Sequence, residues 1–125
     1  VRKVSANIDS DHSPQIMNDG RVLFTRWDYG IEKNVFARHA LWSMNPDGTG
    51  QTEYYGNNSW FPTTLIHARR IPNSHKLVAV ATGHHTLAAG PVVVITPGHG
   101  MNHPRSIRIV TPGVRYCGSL ARYGA

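Results

Sequence analysis

The residues of this chain that could do chemistry lie mainly where two apolar runs end. Arg26-Trp27-Asp28 closes one run, and His84-His85 follows another in a glycine-flanked segment. An arginine and an aspartate beside an indole can orient a ligand that stacks on the ring. Imidazoles are common metal ligands and hydrogen-bond donors. The predicted ligand-binding residues are therefore Arg26, Trp27, Asp28, His84 and His85.

Each of these groups also has a structural interpretation. Arg26 and Asp28 can pair with each other and brace the following loop over a packed Trp27, and we give this more weight than ligand binding. Adjacent residues of an extended segment point in opposite directions, so one ion rarely takes both His84 and His85. The pair can instead support the turns of its loop.

The remaining histidines give weak signals for a metal site. His99 and His103 are four residues apart, which on a helix would place two zinc ligands on one face. Gly98, Gly100 and Pro104 oppose a helix there. The weak metal candidates are His84, His99 and His103. No partner pattern is visible for His12, His39, His67 and His75.

No residue is predicted to be catalytic. Cys117 has no supporting histidine spacing, and Ser119 lacks the Gly-x-Ser-x-Gly elbow of a hydrolase. Because Cys117 is the single cysteine, the chain forms no internal disulfide and contains no Cys-x-x-Cys-His haem motif. We expect no cofactor and no enzyme activity in this chain alone.

The charge balance indicates a basic protein without a focused anion-binding surface. Thirteen lysines and arginines against seven aspartates and glutamates give a net charge of +6. These basic residues are scattered and form no run interleaved with aromatic residues, which argues against nucleic-acid binding. No apolar run approaches the ~20 residues that a membrane-spanning helix needs.

Eight short strand-like runs must position the two loops. A charged content of 16% with 12 glycines and 8 prolines favours strands joined by tight turns. No stretch shows a helical period, and residues 28–38 and 83–90 are predicted as irregular loops. The predicted strands are residues 13–17, 21–27, 39–44, 52–55, 65–70, 76–82, 91–96 and 106–110.

These runs form two similar units. Each has a turn, a strand, a long loop, a strand and a glycine-rich turn, repeated at a spacing of about 50 residues. Four strands per unit is the blade count of a β-propeller. We therefore predict an all-β fold with two four-stranded antiparallel blades. The predicted divisions are a leader or the end of a preceding element at 1–10, blades at 11–62 and 63–113, and a further blade or tail at 114–125.

The first unit resembles the TolB-type propeller repeat. The matching residues are Asp19-Gly20, residues 22–25 and residues 41–50. More of the chain, roughly residues 13–113, is similar to proteins related to the α subunit of hydrazine synthase. The stretches that carry this likeness are 24–29, 39–42, 54–57, 68–76 and 82–85.

The resemblance implies a module of a larger bacterial protein in an extracytoplasmic compartment such as the periplasm. In that family the propeller is the middle part of a multihaem protein, so the missing haem motif prevents its redox activity from being carried over. Two blades cannot close a ring, and the chain begins without methionine, so we expect a fragment or a homo-oligomer. The predicted function is a non-catalytic scaffold that binds a protein partner or the remaining blades. The alternative is the propeller portion of a haem-dependent redox enzyme that contributes loop residues to a site completed elsewhere.

Overall fold

The computed structural model describes residues 1–28, 38–59, 61–83 and 88–114. Within these ranges the chain forms eight strands and two short 3₁₀ turns, at Pro97–His99 and Pro104–Ser106. All eight predicted strands are confirmed, with ends that differ by at most about two residues. The strands are β1 Asp11–Ile16, β2 Val22–Asp28, β3 Arg38–Met44, β4 Thr52–Tyr55, β5 Thr64–Arg70, β6 Leu77–Thr82, β7 Val92–Ile95 and β8 Ile107–Ile109.

The strands form one open sheet made of two antiparallel meanders. The first meander is β1 to β4 and the second is β5 to β8, each strand pairing with the next along the chain. A parallel bridge between His39 and Thr64 joins β3 to β5. The all-β prediction is confirmed. The described residues contain no helix with the length and apolarity needed to cross a bilayer.

The central hairpins of the two meanders share one register. Leu23 lies opposite Ser43 in the first meander, and Val78 lies opposite Val94 in the second. In both hairpins one further pair of residues follows, and a proline then lies two residues after the end of the second strand, β3 or β7. The repeat seen in the sequence is therefore also a repeat of strand pairing.

The first strand of each meander carries the same β-bulge. The register shifts between His12 and Gln15 in β1 and between Ile66 and Arg69 in β5. Within the shift, Ser13 has a φ of 54° and His67 a φ of 53°. Non-glycine residues rarely adopt this left-handed conformation. A bulge bends the strand and re-aims its side chains, so both meanders bend at the same point.

The core lies between the facing surfaces of the two meanders. Because alternate residues of a strand point to opposite faces, Leu23 and Leu41 meet Ala79, Ala81 and Val93 across this interface. The small alanine side chains of β6 leave room for the larger leucines, and full burial of each leucine contributes about 1.5–3 kcal/mol. The buried members of the core are Leu23, Leu41, Tyr55, Leu65, Ala68, Leu77, Ala79, Ala81, Val93 and Ile95.

A cross-sheet hydrogen bond fixes the stacking of the two meanders. The Thr25 hydroxyl donates to the backbone carbonyl of Leu65 at 2.9 Å, and Thr25 is buried. A buried hydroxyl without a partner would cost free energy. This bond therefore favours one alignment of β2 relative to β5.

Candidate functional site at the loop end of the sheet

The topology places the strand ends that flank both predicted loops at one end of the sheet. Trp27 lies opposite His39, His39 opposite Thr64, and Thr64 opposite Thr82. This row defines the loop end of the sheet. The segments 29–37 and 84–87 begin next to it, after Asp28 and Gly83, and themselves lie outside the described residues.

A stacked pair of aromatic rings lies at the loop end. Trp27 and His39 face each other from β2 and β3, with ring centroids 5.4 Å apart and ring planes 11° from parallel. Cross-strand pairs of this kind contribute to sheet stability. The stacked indole therefore helps to orient the His39 imidazole.

His12 from β1 joins this pair. Its Nε2 lies 3.4 Å from Nδ1 of His39, and the two ring centroids are 5.7 Å apart. Such a centroid separation is about as large as this nitrogen–nitrogen contact allows, so the two nitrogens point at each other. One imidazole donates its N–H to the lone pair of the other. Two ligands of one metal ion would instead aim their lone pairs at a common third point.

The environment of His12 favours its neutral form. Burial lowers the pKa of His12 below its ordinary value, and the charge of nearby His67 acts in the same direction. The charge of Asp11 opposes both effects. Because a pair with two protonated rings would bring N–H against N–H, the neutral state also suits the hydrogen bond to His39.

Arg26 lies on the opposite face of β2 from Trp27 and binds Asp11 rather than Asp28. Its Nε and Nη2 donate to the two Asp11 carboxylate oxygens at 2.9 and 3.0 Å, and Nη2 also donates to Gln51 Oε1 at 2.7 Å. The expected Arg26–Asp28 brace is therefore replaced by a bidentate pair between β1 and β2. Arg26 therefore links β1 to β2 on the outer face of the first meander, which is the face turned away from the second meander.

The Asp11 carboxylate is held ionised by its partners. Burial alone would raise the pKa of Asp11, but hydrogen bonds from Arg26, Ser5 and Asn7 and the positive charge of Arg26 outweigh it. The pKa of Asp11 therefore lies below its ordinary value. Asn7 also donates to the backbone carbonyl of Trp27 at 3.1 Å, so the N-terminal segment is tied to the same strands.

Asp28 is the last residue of β2 and Arg38 is the first residue of β3, so both lie at the loop end. They lie opposite each other in register, and Asp28 is exposed. The Arg38 guanidinium donates to the carbonyls of Asn57 and Ser59 at 2.9 and 2.7 Å. Arg38 therefore anchors the segment after β4 to the start of β3.

The structure divides the predicted ligand residues rather than joining them. Arg26 and Asp28 lie on one face of β2 and Trp27 on the other, because successive strand residues alternate. His84 and His85 lie outside the described residues. His99 and His103 are exposed, and His103 Nδ1 accepts from the Arg105 backbone N–H at 3.1 Å. Among the described residues, no three or more His, Cys, Asp and Glu side chains form a group able to hold a metal ion.

The sequence reasoning missed the pairing of His12 with His39. The hairpin turn Asn18-Asp19-Gly20 allows β1 and β2 to be aligned, but this alignment alone does not bring His12 to His39. A regular hairpin would place His12 opposite Arg26, on the outer face. The bulge at Ser13 instead places His12 opposite Thr25 and Asp11 opposite Arg26. The bulge thus creates both the histidine pair and the ion pair.

Comparisons with protein-family models, curated proteins and solved structures each find no match to this chain. The resemblance to TolB-type repeats and to hydrazine synthase α-subunit relatives therefore depends on the sequence motifs alone.

Proposed function

We propose that the chain is a pair of β-propeller blades that acts as a non-catalytic scaffold and protein-interaction module within a larger bacterial assembly. Three observations support this proposal. The two meanders have four strands each, share a register and a bulge, and pack face to face. This is the arrangement of neighbouring units in a repeat protein, in which each unit buries the face of the next.

The observation that carries the proposal is the contrast between equivalent surfaces of the two meanders. In the first, Leu23, Thr25 and Leu41 are 1%, 1% and 0% exposed, because the second meander covers them. The corresponding register positions of the second meander form what we call the valine face. Its residues are Val78, Val80, Val92 and Val94, all partly exposed. A head-to-tail stack leaves one such face for the next unit.

The valine face also indicates the chemistry of its partner. Arg69 and Arg108 are exposed and lie opposite Val78 and Val94 in register. We therefore expect a flat aliphatic surface of small side chains, flanked by carboxylates that complement the two arginines. A further blade with an alanine-rich second strand, like β6, has the required apolar surface.

The test is the native mass of the chain with a charge placed on the valine face. Without the partner blade, the valine faces of two copies can pack against each other, so we expect self-association in sedimentation experiments as the concentration rises. We expect Val80→Asp to return the chain to a monomer. Val114→Asp serves as the control, because Val114 is an exposed valine outside this face. A chain that stays monomeric at every concentration and is unaffected by Val80→Asp would contradict the proposal.

A further inference from the structure

A cavity lies between the two meanders at the end opposite the histidine pair. It has a volume of about 420 Å³ and is lined by residues from the β1–β2 turn and the β5–β6 turn. Asn18 connects these turns, since its side-chain amide donates to the Ser74 carbonyl at 3.2 Å and its Oδ1 accepts from Arg70. The cavity therefore exists only where the two meanders are stacked.

Two cationic side chains border this cavity. Arg70 keeps further N–H donors beyond the one that it gives to Asn18, because a guanidinium has five. Lys76 is exposed, and its backbone N–H donates to the Ser74 hydroxyl at 3.1 Å, which fixes the start of its side chain. Asp19 is the carboxylate of the lining, and one of its oxygens accepts from the Arg21 backbone N–H at 3.0 Å. With histidine counted as neutral, these groups leave a net charge of +1.

The rest of the lining combines a phenol with apolar surface. Burial, together with the negative charge of Asp19, raises the pKa of Tyr54, so its hydroxyl remains a hydrogen-bond donor at neutral pH. Met17, Leu77 and Pro97 supply apolar walls. Small-molecule sites share this composition, with apolar walls and a few convergent polar groups that orient the ligand.

We propose that this cavity binds a carboxylate carried on a small apolar group. The net charge of +1 matches a singly charged anion better than a doubly charged phosphate ester. Arg70, Lys76 and the Tyr54 hydroxyl donate to the carboxylate, and Met17 and Leu77 contact the apolar group. The site needs only the stacking of the two meanders, so it stands whether or not further blades adjoin the chain.

The test is a titration of the full chain with benzoate at constant ionic strength, followed by the backbone amide NMR signals of Lys76 and Leu77. We expect saturable shifts, and Lys76→Ala should weaken the affinity about five- to tenfold through loss of a charge-assisted hydrogen bond. Lys3→Ala removes another exposed lysine, outside the cavity lining, and should leave the affinity unchanged. Tyr54→Phe should weaken it about threefold through loss of one neutral donor.

Three results would overturn the proposal. They are shifts that do not saturate, equal weakening by Lys3→Ala and Lys76→Ala, and binding of neutral benzyl alcohol as tight as that of benzoate. The spectra of the variants show directly whether each one remains folded. Short peptides ending in phenylalanine distinguish the source of the carboxylate. Binding of the free-acid peptide but not of its amide indicates a peptide C-terminus, whereas binding of benzoate alone indicates a small organic acid.

Discussion

The outer faces of the two meanders differ although their backbones match. On the first meander, Phe24 is only 2% exposed, and the Arg26 guanidinium lies 5.1 Å from its ring centroid and 4.9 Å from that of Trp42. Asp11 neutralises Arg26. On the second meander, the valine face carries no charge among its four residues. The first outer face carries a charge that is paired within the face, whereas the second presents aliphatic surface.

The N-terminal segment adds to this difference. Ser5 and Asn7 donate to Asp11, and Gln51 donates to the carbonyl of Val4 at 3.4 Å. Close contact is possible because residue 48 is glycine, where a Cβ would come within 2.2 Å of the Val4 carbonyl oxygen. The same strand arrangement therefore carries a largely covered outer face in one meander and an aliphatic outer face in the other, and the side chains determine the difference.

The largest expected effect comes from comparing two adjacent valines of β7, one in the core and one on the valine face. Val93→Ala should lower the free energy of unfolding by about 2 kcal/mol, because its fully buried side chain leaves a cavity in the core. Val92→Ala, the neighbouring residue on the valine face, should cost less than about 1 kcal/mol. Urea unfolding measures both. Equal losses would mean that the valine face is already covered in solution.

The ion pair of the first meander provides the next test. Asp11→Ala should lower the free energy of unfolding by about 1–2 kcal/mol, because Arg26 has a side chain only 13% exposed and would lose its counter-ion. Asp28→Ala, at the exposed end of β2, should change it by less than about 0.5 kcal/mol.

The same pair predicts an acid dependence. Since the pKa of Asp11 is lowered by folding, its contribution is complete above the ordinary value of 3.8 and is lost as the pH falls through the lower folded value. The Asp11→Ala variant should lack this part of the acid dependence. An unchanged acid-unfolding profile in the variant would exclude Asp11 as its source.

A smaller effect is expected from the histidine pair. The pKa of His12 is lowered in the folded state, so the unfolded chain binds more protons below pH 6.5, and stability should fall as the pH drops through that region. His12→Asn should reduce this slope, and His75→Asn, at an exposed turn position, should leave it unchanged. Thermal unfolding at a series of pH values provides the comparison. The same slope in wild type and His12→Asn would refute the assignment.

The smallest expected effect compares the two bulges. His67→Gly should raise the free energy of unfolding by about 0.5 kcal/mol, because glycine relieves the left-handed strain but increases the entropy of the unfolded chain. Ser13→Gly should gain less, since the Ser13 hydroxyl lies 3.3 Å from His12 Nδ1. Denaturant melts of both variants measure the difference. A loss of stability in His67→Gly would contradict the expected relief of backbone strain.

The sequence was sufficient for the strands and hairpins because their signals are local. Asn18-Asp19-Gly20 and Asn45-Pro46-Asp47-Gly48 favour tight turns, and the structure has a turn at each. Apolar β-branched runs such as residues 92–95 have little alternative to a strand between such turns. The two-unit repeat was also predicted from these signals, and the central hairpins of the two meanders share their strand pairing.

The candidate site was less accessible to sequence reasoning because it depends on contacts across several strands. Arg26 suggested Asp28 as its partner, two residues away, whereas the actual partner is Asp11 on β1. His12 and His39 are separated by 27 residues and meet across three strands. No pattern of neighbouring residues in the sequence indicates such a contact.

The sequence by itself determined which segments become strands, where the chain turns, and that four strands recur twice. The tertiary structure decided which side chains meet. The bulge at Ser13 shifts the register of β1 by one residue, and a shift of one residue exchanges the two faces of a strand. That single shift moves His12 to the inner face beside His39 and brings Asp11 to Arg26. The turn sequences cannot encode it, because its effect appears only when the strands are aligned.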